Sequence, residues 1–477
     1  MTATDRGSAP QVVPSWDDVD VASGSEVVGG PFGNRGTPGG WRMALVVATV
    51  VSVIGFALGV IARTPCISTG FTGIGRYTHL CYSDIPVLYE LRGFAAGHLP
   101  YLDNVPGQQI FEYPVLTGAF AQLGAWLTPL FGGGGLGFYA ANVLLLGTCL
   151  IITVLVTGLA ARPRAWDAVL LACSPALLLS ATINWDLLAI MLSAVWLLLW
   201  SRRLPGWSGV ILGLAIAAKF YPLVFLGPVL VLCIRSHRMR DFGRLLLGTA
   251  IGWLAVNVPV MLANFEGWST FYTFSQTRGQ DFGSPWLALS IAGVEVPPNW
   301  LNPIAFGIFG LACLGVAALI LLAPQRPRLA PMLFLVLAAF LLTNKVYSPQ
   351  YVGWLVPLAV LARPRLRDLM VWQAGELVYF VAIWWYLAGL ENPNKGLPAG
   401  WYSVAIWIHV IATLWFASLL IRDALKPSAD PVRVSTGTDP QGGVLNLPRY
   451  AESVTRPAES VPQAAPSAAG RGQPAVD

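Results

Sequence analysis

The chain has 477 residues, of which 55% are hydrophobic and only 11% are charged, and its net charge is +5. Soluble globular proteins carry about 25% charged residues, so the composition excludes an ordinary soluble enzyme and predicts an all-α polytopic membrane protein. The positive charge lies mostly between apolar runs, which indicates membrane orientation and argues against nucleic-acid binding.

Two terminal segments, 1–40 and 423–477, are rich in Gly, Pro, Ser and Ala without periodicity, and both are predicted to be disordered. Because the N-terminal segment is polar, we expect the first apolar run to remain as a helix rather than to be cleaved as a signal peptide. Residues 41–422 form the predicted membrane domain. Apolar runs suited to a hydrocarbon core of ~30 Å predict about twelve crossing helices, at 42–62, 137–160, 166–183, 187–201, 208–218, 222–234, 245–263, 303–323, 329–343, 351–362, 367–390 and 401–421.

The distribution of Arg and Lys among the loops predicts the orientation. With the N-terminus in the cytoplasm, the inner loops carry 15 basic residues and the outer loops carry 7. This asymmetry requires that the apolar stretch 113–131 does not cross, so we expect it to form a juxtamembrane helix on, or dipping into, the outer face. The prediction is a multi-pass protein of the plasma membrane with both termini in the cytoplasm and the active site outside.

The sequence contains six cysteines. Cys149, Cys173, Cys233 and Cys313 lie in apolar segments, where cysteine commonly acts as a small buried hydrophobe. Cys66 and Cys81 flank one short loop. An extracytoplasmic position would permit a disulfide between them, and the sequence leaves this pairing open.

Ionisable residues gather on the predicted outer face. Polar groups at membrane depth cost several kcal/mol unless they are paired or hydrated, so their concentration at one end of a helical bundle predicts a water-accessible cavity. They are Asp84, Glu90, Arg92, His98, Asp103, Glu112, Asp186, Lys219, Glu266, Arg278, Asp281 and Lys345.

Short motifs on that face combine carboxylates with fixed cations. A carboxylate can take the proton of an attacking hydroxyl as a general base, and Lys or Arg can stabilise a departing phosphate. This chemistry suits sugar transfer from a lipid phosphate. Walker, dinucleotide-binding and nucleophile-elbow motifs are absent from the sequence. The motifs are "YSDI" with Asp84, "FEYPVLTG" (111–118), "NWD" (184–186), "KFYP" (219–222), "TRGQDFGS" (277–284) and "NKVYSPQY" (344–351).

Four stretches, in their order and on their shared side, resemble membrane glycosyltransferases of the GT-C superfamily, and more narrowly glycosyltransferase family 87: "YSDIPVLYELRGFAAGHLPY" (82–101), "FEYPVLTG", "KFYP" and "NKVYSPQY". That family includes actinobacterial mannosyltransferases that use a polyprenyl-phosphate-mannose donor. The resemblance covers about residues 42–421. It implies that the chain moves a sugar, most often mannose, to a glycolipid or cell-envelope glycan at the extracytoplasmic face. Arabinofuranose stays open as the sugar, and the sequence does not fix the acceptor or the linkage.

The resemblance also assigns roles to residues of this chain. It implies that Asp84 in the first outer loop is the general base, although an Asp in this position can also cap a helix. Asp186 occupies the place of a second acidic motif, but the single Asp makes metal binding doubtful. No metal or cofactor is expected, since the lipid-linked sugar is a substrate. The other residues predicted to bind substrate are Glu112, Tyr113, Asp186, Lys219, Tyr221, Arg278, Lys345, Tyr347 and Gln350.

The alternative is a transporter or lipid flippase of envelope biogenesis. Such a protein would place charge along a path through the bundle and show two related halves. Glu376, in the middle of an apolar run, is the main residue that fits this alternative. It is costly unless paired, and its role stays open between pairing across the bundle and lining a lipid entry. Trp-rich stretches such as 383–386 are interpreted as interfacial belts, with sugar stacking as a minor alternative.

Overall fold

The computed structural model describes residues 40–103 and 110–447, and within these ranges the regular structure is entirely helical, which confirms the predicted all-α class. The α-helices are α1 (Trp41–Ile61), α2 (Thr64–Ser68), α3 (Gly75–Thr78), α4 (Asp84–Leu91), α5 (Val115–Leu127), α6 (Gly134–Ala160), α7 (Asp167–Ala172), α8 (Pro175–Ser180), α9 (Asp186–Ser201), α10 (Pro205–Ala218), α11 (Leu226–Arg235), α12 (Met239–Ala263), α13 (Phe265–Thr277), α14 (Pro285–Ile291), α15 (Pro298–Leu322), α16 (Leu329–Thr343), α17 (Val352–Ala362), α18 (Leu366–Glu391), α19 (Ala399–Leu425) and α20 (Pro431–Thr436).

Five of the described helices, α1, α6, α12, α15 and α19, are long and apolar enough to cross a membrane. Several other apolar helices have only 10–17 residues. The chain is therefore a multi-pass membrane protein, but the predicted number of twelve crossings is not confirmed. The apolar stretch 113–131 is helical, as α5 followed by a 3₁₀ turn. Its depth in the membrane and the side on which the termini lie stay predictions.

The predicted crossing 166–183 is wrong as a single helix, because the chain breaks between α7 and α8. The Ser174 side chain accepts a hydrogen bond from the backbone N–H of Leu177 at 3.4 Å and so caps α8. Pro175, in the first turn of α8, has no N–H with which to continue α7. The two short helices bring the chain to the turn at 184–186, from which α9 begins.

A second break falls between α10 and α11. Lys219 ends α10 in an extended conformation, with φ −154° and ψ 142°. The 3₁₀ turn Tyr221–Phe225 follows, with Pro222 near its start. Helix α10 itself packs along α9 and α12. Lys219 therefore stands at a break in the backbone and not in a helix interior.

The C-terminal part of the described chain packs against the Arg-rich end of the bundle, so the disorder predicted for 423–477 is wrong for residues 423–447. Arg328 is buried and donates to both carboxylate oxygens of Asp430, at 2.6 and 2.9 Å. Gln441 donates to the last carbonyl of α6 at 2.8 Å. The compact unit that holds the bundle ends at Asn446. The predicted disorder of 1–39 and 448–477 falls outside the described residues.

Two cysteines left open by the sequence are joined in the structure, where Cys66 and Cys81 form a disulfide. It closes the loop that contains α2 and α3. Cys149 and Cys233 are free and buried, as expected for small apolar residues, whereas Cys173 is exposed. The disulfide ends three residues before Asp84, and so ties the chain between α1 and α4.

Glycines allow α10 and α12 to approach closely. A Cβ atom on Gly213 would lie 2.2 Å from the carbonyl oxygen of Thr249, and one on Gly248 would lie 2.3 Å from that of Gly206. Backbone atoms cannot move aside as a side chain can, so both positions require glycine. Small residues at helix interfaces serve this purpose in membrane proteins. This contact fixes α10, and with it the position of Lys219.

Substitution of Gly248 by Ala tests this packing. We expect Gly248→Ala to lower the thermal unfolding temperature of the detergent-solubilised protein, because the added methyl group meets the backbone of α10. Gly243→Ala is the matched control, since Gly243 lies in the same helix and its Cβ would meet nothing within 4 Å. Ala for Gly in a helix interior is otherwise favourable by roughly 0.5–1 kcal/mol. Equal unfolding temperatures for the two variants would contradict the close approach.

Candidate active site

A cavity of ≈500 Å³ brings together six of the ten predicted site residues. Its volume lies in the range of roughly 300–1,000 Å³ that is typical of small-molecule sites. The remaining lining is largely aromatic and apolar, from α4, α13 and α18 and the loops beside them. The six are Asp84, Glu112, Tyr113, Lys219, Arg278 and Gln350.

Asp84 is the first residue of α4, but it does not cap the helix. The Ser83 side chain does so, accepting a hydrogen bond from the backbone N–H of Ile85 at 3.3 Å. The Ser83 hydroxyl in turn donates to the Thr182 carbonyl at 2.7 Å, and the Asp84 N–H donates to the Ile183 carbonyl at 2.8 Å. These hydrogen bonds hold the start of α4 against the chain just ahead of the 184–186 turn. The Asp84 carboxylate, which does not cap the helix, lines the cavity.

Two phenol groups contact the Asp84 carboxylate. The Tyr82 hydroxyl donates to Oδ1 at 2.8 Å, and the Tyr113 hydroxyl lies 3.5 Å from Oδ2. Burial raises the pKa of Asp84 to about 6; the Tyr82 hydrogen bond and Lys219 oppose this shift, and the Glu112 carboxylate adds to it. A carboxyl group with this pKa is a proton acceptor suited to near-neutral pH.

Lys219 supplies a cation next to the Tyr113 ring. Its ammonium lies 4.7 Å from the centre of the Tyr113 ring, which places it in cation–π contact. It donates to Asp186 Oδ1 at 2.7 Å, and the other Asp186 oxygen accepts from the Trp354 indole at 2.9 Å. Burial lowers the pKa of Lys219, but the Asp186 carboxylate outweighs it, so the pKa is raised overall and the side chain stays charged.

Asp186 is only 5% exposed and lies behind Lys219, outside the lining of the cavity. Both of its oxygens are used by Lys219 and Trp354. Its position therefore suits a counter-ion that holds Lys219, which differs from the direct substrate contact predicted from the sequence.

Arg278 lines the cavity and forms a hydrogen bond through Nε to Asp281 at 2.7 Å. Lys345 does not line it. The Lys345 ammonium donates to the carbonyls of Ser275, Gln276 and Arg278 at the C-terminal end of α13. Burial, and then the positive charge of Arg278, lower the pKa of Lys345. The lysine closes a helix end, and of the two cations only Arg278 faces the cavity.

Glu112 is held by Arg92, which was not among the residues predicted to bind substrate. Arg92 donates to both Glu112 oxygens, at 2.7 and 2.9 Å, in a bidentate pair. Such pairs fix the carboxylate geometrically as well as electrostatically. Glu112 therefore reaches the cavity as half of an ion pair.

Tyr221 and Tyr347 lie behind the cavity. The Tyr221 hydroxyl is 3.2 Å from that of Ser193. Tyr347 donates to Glu376 at 3.2 Å, and Thr413 donates to the same oxygen at 2.9 Å. Glu376 therefore pairs across the bundle, which is the first of the two roles left open by the sequence, and it does not line this cavity.

His409 joins this network and connects it to the loop that carries Arg278. Its Nδ1 lies 3.4 Å from a Glu376 oxygen, and its Nε2 lies 3.0 Å from the carbonyl oxygen of Gly283. Gly283 has φ +74°, and a Cβ there would clash with the Tyr347 carbonyl, so the loop requires glycine at this point.

Arg63 is a positioning residue that sequence reasoning missed. It is 2% exposed, and its guanidinium donates to the carbonyls of Leu80, at 3.2 Å, of Tyr82, at 2.9 Å, and of Leu179. It therefore holds the loop ahead of Asp84 against the end of α8. A lone Arg after an apolar run gives no signal for this role, because snorkelling predicts the same pattern.

Other missed residues are aromatic or amide side chains. Tyr77, Tyr82, Asn184, Tyr351 and Trp384 all line the cavity. Helix α13, which forms another wall, was also missed. Its start carried a recognisable signal, because Asn264 caps it by accepting from the Gly267 N–H at 3.1 Å and Glu266 lies in the first turn.

Across the described ranges, His, Cys, Asp and Glu side chains form no group of three that could hold a metal ion.

Comparison with known proteins gives three findings. The defining pattern of Glycosyltransferase family 87 matches residues 111–344. GPI mannosyltransferase 1 from Eremothecium gossypii is 27% identical over 208 residues, which is 40% of this chain and 52% of that protein. The chain thus spans about half the length of this curated relative. The crystal structure of ArnT from Cupriavidus metallidurans bound to undecaprenyl phosphate aligns with a TM-score of 0.37 at 16% identity, covering 78% of this chain and 77% of that one.

Removal of the Asp186 charge tests its role as the counter-ion of Lys219. We expect Asp186→Asn to destabilise the fold strongly, since a buried ammonium that loses its partner costs about 3–5 kcal/mol. Asp281→Asn is the control, because the Arg278–Asp281 pair is more exposed, at 33% and 23% of the side chains. A pair of that kind contributes about 0–1 kcal/mol. Thermal unfolding of both variants measures the difference, and an Asp186→Asn effect no larger than the control would rule out the counter-ion role.

Proposed function

We propose that the chain, whose residues 111–344 match glycosyltransferase family 87, transfers mannose from a polyprenyl-phosphate donor to a hydroxyl group of a glycolipid or envelope glycan. The reaction takes place at the extracytoplasmic end of the bundle. One observation carries the proposal: a carboxylate with a raised pKa, Asp84, shares a cavity with the cations Lys219 and Arg278. The similarity to a mannosyltransferase supports the choice of sugar.

The proposed step is a displacement at the anomeric carbon. The acceptor oxygen forms the new glycosidic bond while the bond from that carbon to the phosphate oxygen breaks, and its electron pair leaves with the polyprenyl phosphate. The acceptor's proton passes to Asp84. Attack opposite the leaving group inverts the anomeric configuration.

The cavity lining combines cations, which suit a phosphate group, with apolar side chains, which suit a lipid chain. Lys219 and Arg278 offer ammonium and guanidinium donors to the phosphate, and such charge-assisted hydrogen bonds strengthen as negative charge develops on the leaving group. Phe271 and Phe274 of α13, with Leu91 of α4, add an apolar wall on which a polyprenyl chain can lie. This wall supports the choice of a lipid-linked donor.

Replacement of Asp84 tests the assignment of the general base. We expect Asp84→Asn to reduce the transfer of labelled mannose from polyprenyl-phosphate mannose by about 10²–10⁴-fold, while expression and donor binding are kept. Glu90→Gln is the matched control, since Glu90 lies on the same helix, is exposed and does not line the cavity. Near-normal turnover by Asp84→Asn would refute the assignment.

The pH dependence gives a second, independent test. The base must be unprotonated to accept a proton, and its pKa is raised to about 6. The rate constant kcat/KM should therefore rise about tenfold per pH unit below pH 6 and level off above it. Asp84→Asn should lack this rise in its residual activity. A profile for the unmodified protein that is flat between pH 5 and 7 would exclude Asp84 as the titrating base.

A further inference from the structure

Three aromatic side chains form one continuous cluster beside Asp84. The rings of Tyr77 and Tyr82 are stacked, with centroids 5.6 Å apart, and Trp384 lies 5.0 Å from Tyr82 and 6.4 Å from Tyr77. All three residues line the cavity. The cluster begins at the carboxylate itself, because Tyr82 donates to Asp84 Oδ1 at 2.8 Å.

The two carboxylate oxygens of Asp84 face different surroundings. Oδ1 is bound by Tyr82, which belongs to the aromatic cluster. Oδ2 lies on the side of Tyr113, against whose ring the Lys219 ammonium is placed at 4.7 Å. The aromatic cluster therefore adjoins one oxygen of the proposed base, and Lys219, through Tyr113, adjoins the other.

This arrangement suggests different parts of the cavity for the donor phosphate and for the acceptor. In a displacement with inversion, the nucleophile and the leaving group lie on opposite sides of the anomeric carbon, and the base lies beside the nucleophile. If the phosphate takes the side of Lys219 and Arg278, the acceptor extends from Asp84 in the other direction. In this cavity, that direction leads to Tyr77, Tyr82 and Trp384.

We infer that Tyr77, Tyr82 and Trp384 form the acceptor subsite, and that the group bound there is a sugar ring whose apolar C–H face stacks on the aromatic rings. This inference rests on the proposed function and adds the acceptor's chemical class. The negative face of an aromatic ring attracts the weakly positive C–H edge of a partner. Flat, rigid aromatic surface also binds at a low cost in side-chain entropy.

Polar groups next to the cluster suit the hydroxyls of a sugar. The Arg76 guanidinium lies 4.7 Å from the Tyr77 ring centre and forms an ion pair with Glu391 at 2.6 Å. Both of these side chains are partly exposed, at 23% and 38%. An aromatic surface with a few adjacent hydrogen-bonding groups is the usual composition of a specific ligand site. A serine side chain has no ring to stack on the cluster, and a fatty alcohol has no further hydroxyl groups for Arg76 and Glu391.

The choice of acceptor by the purified protein tests the inference. The assay follows labelled mannose from polyprenyl-phosphate mannose into octyl α-mannoside and octyl β-glucoside as sugar acceptors, into 1-octanol as a lipid alcohol, and into a serine-containing octapeptide. We expect at least tenfold higher kcat/KM for the better octyl glycoside than for the octanol or the peptide. Equal or better use of octanol or peptide, or transfer to water alone, would overturn the inference.

Variants of the cluster test which residues bind the acceptor. We expect Trp384→Leu to raise the KM for the better octyl glycoside about tenfold and to leave the KM for the donor within twofold. Trp384→Phe should recover most of the loss, since it restores an aromatic face. Trp385→Leu is the matched control, because Trp385 is 45% exposed and does not line the cavity. An unchanged acceptor KM in Trp384→Leu would contradict the subsite.

Tyr77→Leu provides the same comparison if Trp384→Leu does not fold, because Tyr77 is only half-buried.

Failure of the subsite and failure of the proposed function give different results. If the unmodified protein neither transfers mannose nor hydrolyses the donor, the proposed function is wrong. If it transfers mannose but Trp384→Leu and Tyr77→Leu keep the acceptor KM of the unmodified protein, only the subsite is wrong.

Discussion

The cavity depends on the pairing of Lys219 with Asp186, because a buried ammonium is stable only beside a compensating charge. Both residues stand where a helix begins or ends. Lys219 follows α10 in an extended conformation, and Asp186 is the first residue of α9. The pair therefore joins the start of α9 to the end of α10, the next helix along the chain. Close packing of α10 on α12, through glycines, keeps one half of the pair in place.

The other half of the cavity is built onto this pair through the loop ahead of α9. Asp84 donates its backbone N–H to Ile183, and Asn184 lies 3.5 Å from the Tyr113 hydroxyl. Asn184 also accepts the N–H of Asp186 at 3.0 Å. One short turn thus contacts the proposed base, the tyrosine between the two charges, and the counter-ion. A shift of this turn would move all three, which explains why Arg63 and the disulfide restrain the same region.

The sequence predicts several of the residues that line the cavity, because ionisable residues are rare in an apolar chain. Membrane helices show little ionisable character, so Asp84, Glu112, Lys219 and Arg278 were noticeable by type alone, and all four line the cavity. The resemblance to glycosyltransferase family 87 is confirmed by the match over 111–344, although Asp84 itself lies outside the matched residues.

Side-chain direction was the part that the sequence could not supply. Lys345 and Arg278 both follow helices and both carry positive charge, yet one caps α13 and the other lines the cavity. The difference depends on how two distant loops pair, since the Asp281 N–H donates to the Lys345 carbonyl at 2.8 Å. Aromatic residues pose the same problem. Trp384 and Trp385 are neighbours in an apparent interfacial belt, and only the fold decides that Trp384 reaches the cavity.

The two aspartates of the cavity region illustrate how environment separates chemical roles. Asp186 has an ammonium on one oxygen and an indole N–H on the other, so its charge is fully compensated by fixed protein groups. Asp84 has one close donor, a neutral phenol, and its charge is opposed by burial and by Glu112. A proton arriving at Asp84 therefore relieves an unfavourable charge, whereas the Asp186 carboxylate is held in an ion pair with Lys219. These different environments support the proposal that Asp84 is the base and that Asp186 holds Lys219 in place.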